Sequence, residues 1–246
     1  ILRSTIRETT TLPIGRAGLS LPDGVFRVQT IEFDELPANN RARDRLVRWR
    51  LEKGAAFDMT KTLLRYQVLP RQDRACSVLA CVAKQEVIAQ YEDLLAGLGL
   101  EPWAVVPSSF NALNLYAPYL AAMSIPYALV WVAEGSYTTI IMERGVPRFY
   151  RYREIKAGAP QDVTGRLIRE LDDSIHFYLH MDRQQQPEVG HLYLSGDPAL
   201  IASLSESLKN ATTLKIETLV PSVVLTTGAE TDPALAAAFG AGGALG

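Results

Sequence analysis

The sequence predicts an α/β protein of two lobes, with a small α+β subdomain inside the first lobe. Strand-like apolar runs alternate with amphipathic helical patterns along the chain, which is typical of packed α/β layers. A block at about 18–99 carries pairs of strands around single helices, and three strands with two further helices follow it. We therefore expect a first lobe over 1–125 and a second lobe over 126–246.

The first predicted elements are a hairpin over 18–36, in which two alternating strands meet at a Pro-Asp-Gly turn, and a helix. Asn39 or Asn40 is expected to cap this helix, which packs Leu46 and Trp49 inward. Strands at 63–70 and 76–83, an amphipathic helix at 84–98, a short strand, and a helix capped by Ser108 or Ser109 then follow.

The second lobe opens with a hairpin made of the apolar runs 128–133 and 137–142, and a third strand reaches Arg153. A long helix from about 163 to 181 shows apolar residues at helical spacing. The strand "HLYLSG" at 191–196 ends at a Ser-Gly turn before the next helix, so strand, helix, strand and helix close an α/β layer.

The composition is that of an ordinary folded protein. The chain has 246 residues, 48% hydrophobic and 21% charged, so it can bury a sizeable core. Its 25 basic residues are balanced by 27 acidic ones, which argues against binding to nucleic acid. No run of eighteen apolar residues and no basic-then-apolar leader occurs, so we expect no direct insertion into a membrane.

Two cysteines, Cys76 and Cys81, lie at an odd offset in one predicted strand. Their side chains therefore point to opposite faces and cannot easily pair. We expect buried reduced thiols, as in a cytosolic protein.

Two turns could hold a nucleotide. The turn before Ser136 contains Gly135, which permits close approach, and the hydroxyls of Thr138 and Thr139 follow it, although a plain hairpin turn explains the same residues. A second strand-turn-helix junction, "YLSGDPAL", contains Ser195 and Gly196.

The order of these segments resembles a known family. The segments are "FRVQTIEFDELP", "WRLEKGAAFD", "VIAQYEDLLAGLGLEPWAVVPSSFNALNLY", "VAEGSYTTIIMERGVPRFYR", "LIRELDDSIHFYL" and "LYLSGDPALI", which together cover nearly the whole chain. In this order they are similar to the PilM proteins of type IV pilus assembly, with the cytoplasmic domain of GspL and FtsA as more distant relatives. The resemblance implies an actin-like (ribonuclease H-like) fold that binds ATP between its lobes. It also implies a groove in the first lobe that docks a short peptide of a membrane-anchored, PilN-like partner.

The nucleotide positions depart from the family pattern. Ala133 stands where an acid is usual, Asp197 follows Gly196 where a second glycine is usual, and no first phosphate loop is visible. The segment "REIKAGAPQDVTG" leaves no room for a helical lid. We therefore expect a vestigial nucleotide site at Gly135, Ser136, Thr138, Thr139, Ser195 and Gly196, weak ATP/Mg binding at most, and no catalytic residue. Whether a first phosphate loop lies outside the chain stays open.

Two further groups of residues are candidates for binding a metal ion or a partner. His176 and His180 share a helix face with Asp172, but no fourth ligand is evident, so we expect no metal site. The arginine-rich helix is either a solvated face or a surface for an acidic partner. On the second interpretation the partner-binding residues are Arg48, Trp49, Arg50 and Phe57.

The preferred hypothesis is a cytoplasmic scaffold of a type IV pilus or related secretion platform, peripheral at the inner membrane through its partner and not an enzyme. The alternatives are an active actin-like ATPase whose first loop lies outside the chain, and a GspL-like component that docks a secretion ATPase. Pilus and type II secretion are not distinguished, and a homo-oligomer stays open.

Overall fold

The structure is a computed structural model that describes residues 15–54, 58–70, 76–155, 160–181, 187–224 and 236–243. The division of the chain at 125/126 stays a prediction, and the described residues before it, called the first lobe below, contain two small sheets. Strands β1 (Arg16–Leu21) and β5 (Glu101–Pro107) form one, and β2 (Phe26–Phe33), β3 (Thr62–Val68) and β4 (Cys76–Lys84) form the other, with β4 in the centre. The helices of this lobe are α1 (Asn40–Glu52), α2 (Gln85–Gly97) and α3 (Ser108–Leu120).

The predicted hairpin over 18–36 is wrong. Strand β1 pairs in parallel with β5, and β2 pairs with β4, so the two strands of the supposed hairpin belong to different sheets. The Pro-Asp-Gly turn forms a 3₁₀ turn, Asp23–Val25, that carries the chain from one sheet to the other. Both cysteines are free, as expected, and both are half-buried in β4.

Helix α1 covers one face of the three-stranded sheet. Asn39 caps it, since its side chain accepts a hydrogen bond of 3.1 Å from the backbone N–H of Ala42. Its buried residues are Val47 and Leu51, whereas Trp49 is 49% exposed, so the prediction that Trp49 packs inward is wrong. The buried face of α1 is instead the one that carries Val47 and Leu51, which are one helical turn apart.

The second lobe is a five-stranded sheet between helices. Its strand order is β10-β9-β6-β7-β8, with β6, β7 and β8 antiparallel and with β9 and β10 parallel to β6. The strands are β6 (Tyr127–Ala133), β7 (Ser136–Glu143), β8 (Val146–Glu154), β9 (His191–Gly196) and β10 (Lys215–Thr218), and the helices are α4 (Pro160–Leu179), α5 (Pro198–Ala211) and α6 (Ala236–Gly243).

Strand β6 is apolar throughout because both of its faces are buried. Ala128, Val130 and Val132 pack into the core beneath α4 and α5. On the opposite face, Leu129 and Trp131 pack into the core formed with α3 and α6. The five-stranded sheet is thus the middle of three layers, with α4 and α5 on one face and with α6 and α3 of the first lobe on the other, and α6 also contacts β1.

The connection between β8 and α4 is short. Strand β8 ends at Glu154 and α4 begins at Pro160, and residues 156–159 lie outside the described part of the chain. The absence of a helical lid stays a prediction. No described helix is both long and apolar enough to cross a membrane.

Candidate functional site

A groove of about 330 Å³ lies in the first lobe between the three-stranded sheet, α2 and β5. We call it the first-lobe groove. It is lined by Phe26, Leu63, Arg65, Cys81, Ala83, Ile88, Glu92 and residues 102–106.

The floor of the first-lobe groove is one face of the sheet. Phe26 and Leu63 are each paired with Ala83 of the central strand, so the three side chains lie side by side on that face. The next residue of β4 on this face is Cys81, and burial raises the pKa of its thiol to about 12. Cys81 is therefore a neutral thiol at physiological pH and adds to an apolar floor.

Strand β5 presents an edge to the first-lobe groove. Residues 102–106 are consecutive and all line it, whereas only alternate residues would do so if the strand turned one face towards it. In the described part of the chain, β5 pairs with β1 and belongs to a two-stranded sheet, so it is an edge strand. Such an edge can pair with an added extended segment.

The ends of the first-lobe groove carry aromatic and charged groups. Trp103 of β5 is 49% exposed, and the Arg16 guanidinium lies 4.2 Å from the centre of its ring. Arg16 also forms an exposed ion pair of 3.6 Å with Glu101. Arg65 from the sheet and Glu92 from α2 add opposite charges to the lining.

A buried polar cluster joins the two lobes. Asp23 is 4% exposed, and its carboxylate accepts hydrogen bonds from the backbone N–H of Ser109 at 3.1 Å and from the hydroxyl of Tyr150 at 2.8 Å. The hydroxyls of Ser109 and Thr138 also bond to it. Burial raises the pKa of the Asp23 carboxyl, and these hydrogen bonds oppose the rise. We call Asp23, Ser109, Thr138 and Tyr150 the interlobe cluster.

The residues predicted to contact a nucleotide phosphate differ in their exposure to solvent. Gly135, with φ of 72°, lies in the open β6–β7 turn, and Ser136 begins β7 and hydrogen-bonds to Tyr152. Thr138 and Thr139 are 1% and 0% exposed, on opposite faces of β7. A phosphate could reach their hydroxyls only if the strand moved, so binding by these residues stays a prediction.

At the second predicted nucleotide turn, Ser195 to Asp197, the residues contact other parts of the protein. The buried hydroxyl of Ser195 lies 3.0 Å from that of Tyr116. Gly196, with φ of 120°, approaches the backbone of Val132. Asp197 caps α5, since its carboxylate accepts a 2.9 Å hydrogen bond from the N–H of Leu200. Asp197, which stands where the family pattern has a second glycine, thus has a structural role at a helix N-terminus.

The predicted partner-binding residues that the structure describes in α1 differ in exposure. Arg48 is half-buried and donates a 2.7 Å hydrogen bond to the carbonyl oxygen of Met59. Trp49 and Arg50 are exposed, and the Lys53 ammonium lies 3.7 Å from the Trp49 ring centre. Phe57 lies outside the described residues. Partner binding by Trp49 and Arg50 stays a prediction.

The predicted histidine pair stacks on α4. The rings of His176 and His180 are 5.1 Å apart, and Nδ1 of His180 lies 2.7 Å from the backbone oxygen of His176. No group of three or more metal-ligating side chains occurs within the described ranges.

The resemblance implied a groove in the first lobe, but sequence reasoning missed the residues that line the first-lobe groove, and it missed the interlobe cluster. The alternation of apolar residues in β3 and β4 identified strands, but it did not say which face stays open. Asp23 was assigned to a turn only, because its partners Ser109 and Tyr150 are 86 and 127 residues away along the chain.

No protein-family model matches the chain, and no curated protein sequence matches it either. The structure is similar to a chain of the PilM-PilN type IV pilus biogenesis complex, with a TM-score of 0.82 and 17% identity over 100% of this chain and 85% of that one.

Two weaker likenesses accompany it. The cytoplasmic domain of EpsL, an inner membrane component of the type II secretion system of Vibrio cholerae, has a TM-score of 0.49 and 11% identity over 91% of this chain and 72% of that one. A Bacteroides thetaiotaomicron protein with an actin-like ATPase fold has a TM-score of 0.47 and 11% identity over 78% and 65%. Scores below 0.5 carry no inference about this chain. The first likeness shows the fold, so the chain has the actin-like fold of the PilM-like proteins that its segment order resembles.

Proposed function

We propose that the chain is a scaffold of a type IV pilus or related secretion platform, and that its first-lobe groove holds a short peptide of a membrane-anchored partner. The observation that carries the proposal is an apolar floor beside β5, an edge strand of a two-stranded sheet in the described part of the chain. The resemblance to PilM-like proteins and the fold shared with a chain of the PilM-PilN complex support a PilN-like partner.

The peptide binds as an extended strand along β5. Backbone hydrogen bonds to the edge of β5 that lines the groove supply affinity, and alternate side chains of the peptide enter the apolar floor around Phe26, Leu63 and Ala83. Trp103 closes over one side chain, since a half-exposed tryptophan beside a groove is a typical anchor.

Opposite charges set the direction of the peptide. Arg65 is exposed on the sheet side and attracts an acidic side chain, while Glu92 lies on the helix side and attracts a basic one. Reversing the peptide would place like charges together, which costs binding energy.

The scaffold works without turning over a nucleotide. Thr138 and Thr139 are buried, and Ala133 supplies no carboxylate to position a metal. Any nucleotide contact is therefore limited to Gly135, Ser136 and their neighbours in the open turn. On this proposal the protein is cytoplasmic and reaches the inner membrane through its partner.

A matched pair of tryptophan variants tests the site. Trp103 and Trp49 are both 49% exposed and both lie beneath a cation, but only Trp103 lines the first-lobe groove. The probe is a labelled synthetic peptide that spans the cytoplasmic end of the PilN-like protein of the same organism, and the readout is fluorescence anisotropy. We expect Trp103→Ala to weaken binding about tenfold or more, as loss of an interface anchor does, and Trp49→Ala to leave it unchanged.

The other outcomes are equally informative. Loss of binding in Trp49→Ala alone would move the site to the α1 surface. A peptide that fails to bind the unchanged protein would refute the scaffold proposal, and binding of a secretion ATPase instead would favour a GspL-like component.

A further inference from the structure

The interlobe cluster is an anion site that the protein fills with its own side chain. Helix α3 begins at Ser108, and its N-cap Pro107 offers no side-chain acceptor, so Asp23 from the β1–β2 connection takes that place. The hydroxyl of Tyr150 converges on the same carboxylate. Several donors around one buried carboxylate at a helix N-terminus form a strong charge-assisted network.

The interlobe cluster lies next to the start of β2 and the end of β5, the two strands that form the walls of the first-lobe groove. Asp23 lies three residues before Phe26, which begins β2 and lines the sheet side of the first-lobe groove. Ser109 lies three residues after Val106, which lines the β5 side. The bond between Asp23 and Ser109 therefore connects the segments that lead into the two walls.

The same carboxylate reaches the second lobe. Tyr150 belongs to β8 and Thr138 to β7, and both bond to Asp23. The ring of Phe110, next to Ser109 in α3, stacks on that of Tyr150 with centres 5.5 Å apart. Strand β8 also passes close to the turn after Asp23, since a Cβ on Gly24 would lie 2.6 Å from the hydroxyl oxygen of Tyr152. Three parts of the chain thus meet at one charge.

We propose that Asp23 is an internal anionic ligand that positions the walls of the first-lobe groove against the second lobe, so that the groove is shaped without a bound nucleotide. The part that concerns the groove rests on the proposed function. In this view Thr138, a residue predicted to receive phosphate, serves the carboxylate of Asp23 instead.

Chemical rescue tests the internal ligand. Asp23→Ala leaves the donors of Ser109 and Tyr150 without their acceptor, so we expect the Tm to fall by about 5 °C or more. Added formate fits the vacated space and should restore at least half of this loss, relative to chloride at equal ionic strength. It should also restore protection of the Ser109 amide against hydrogen exchange.

Asp58→Ala is the control for formate. Asp58 accepts bonds from the N–H and hydroxyl of Thr60 at the surface, so its loss leaves no enclosed site and formate should have no effect. If Asp23→Ala responds to formate no better than Asp58→Ala, and if the Ser109 amide keeps its protection, Asp23 is not an internal ligand. These two readouts need no peptide, so they decide this part of the proposal even if the scaffold proposal fails.

A milder pair tests the link to the groove. Tyr150→Phe removes one hydroxyl bond to Asp23, whereas Tyr137→Phe removes a buried hydroxyl that has no hydrogen-bond partner among the described residues. We expect Tyr150→Phe to weaken binding of the PilN-like peptide about threefold or more through faster dissociation, with Tyr137→Phe unchanged. Equal affinities in the two variants, with the peptide binding normally, would overturn the positioning role.

Discussion

Substituting alanine for Gly196 separates a structural glycine from one that serves a nucleotide. A Cβ at this position would lie 1.8 Å from the backbone oxygen of Val132, and 2.8 Å and 2.9 Å from its carbonyl carbon and its nitrogen. These atoms are backbone, so no side chain can swing aside to make room. Strands β9 and β6, which meet at these two residues, would have to separate by about 1 Å or more.

The cost has three parts. A φ of 120° is unfavourable for any residue with a Cβ, by about 1–3 kcal/mol. Overpacking against the Val132 backbone adds about 1–3 kcal/mol. Separation also weakens the 2.8 Å hydrogen bond from the Asp197 N–H to the oxygen of Val132, worth about 1 kcal/mol. We expect a loss of about 3–6 kcal/mol and a fall in Tm of about 10 °C or more.

Gly97→Ala is the matched control. Gly97 is the last residue of α2, and a Cβ there would meet no atom within 4 Å, so alanine should leave the stability unchanged or raise it by at most about 0.5–1 kcal/mol. Calorimetry or circular dichroism of the two variants without nucleotide gives the comparison. If Gly196→Ala is as stable as the unchanged protein, the close approach of β9 and β6 is wrong, and Gly196 is free to serve a ligand instead.

Two further predictions concern the arginine helix and ATP. Arg48→Glu should lower the free energy of unfolding by about 1–3 kcal/mol because the bond to the Met59 oxygen is lost. Arg50 is exposed, so Arg50→Glu should change the free energy of unfolding by less than about 1 kcal/mol. Only Arg50→Glu therefore tests the α1 surface, because peptide binding there would be weakened in a salt-dependent way. The purified protein should release no phosphate from ATP above buffer, and calorimetric titration with Mg-ATP should show weak binding at most; metal-dependent release that disappears in Gly135→Val would contradict this.

The second lobe could be predicted from the sequence because its signals are local. The runs that became β6 and β7 are joined by a turn containing Gly135, and Gly145 marks the turn into β8. Both glycines have positive φ, as such tight turns require. The helical spacing from Leu167 to Leu171 also identified the core face of α4.

The first lobe was harder because its strand partners are distant. The turn at Asp23 looked like a hairpin, yet the partner of β1 is β5, which begins at Glu101. A local turn pattern cannot distinguish a chain that folds back on its neighbour from one that passes to another sheet. The same difficulty affects the Asp23 carboxylate, whose role depends on Ser109 and Tyr150.

Several residues at the predicted nucleotide site have one feature in common. Ser195 contacts Tyr116, Asp197 caps α5, and Thr138 bonds to Asp23, so these groups make contacts within the protein. A nucleotide-driven protein needs such donors free in at least one state, because binding must exchange one set of contacts for another. A scaffold has the opposite need, since a groove of fixed shape avoids the ordering cost of binding. On the proposal above the interlobe cluster meets that need, and the peptide affinities of Tyr150→Phe and Tyr137→Phe test whether it does.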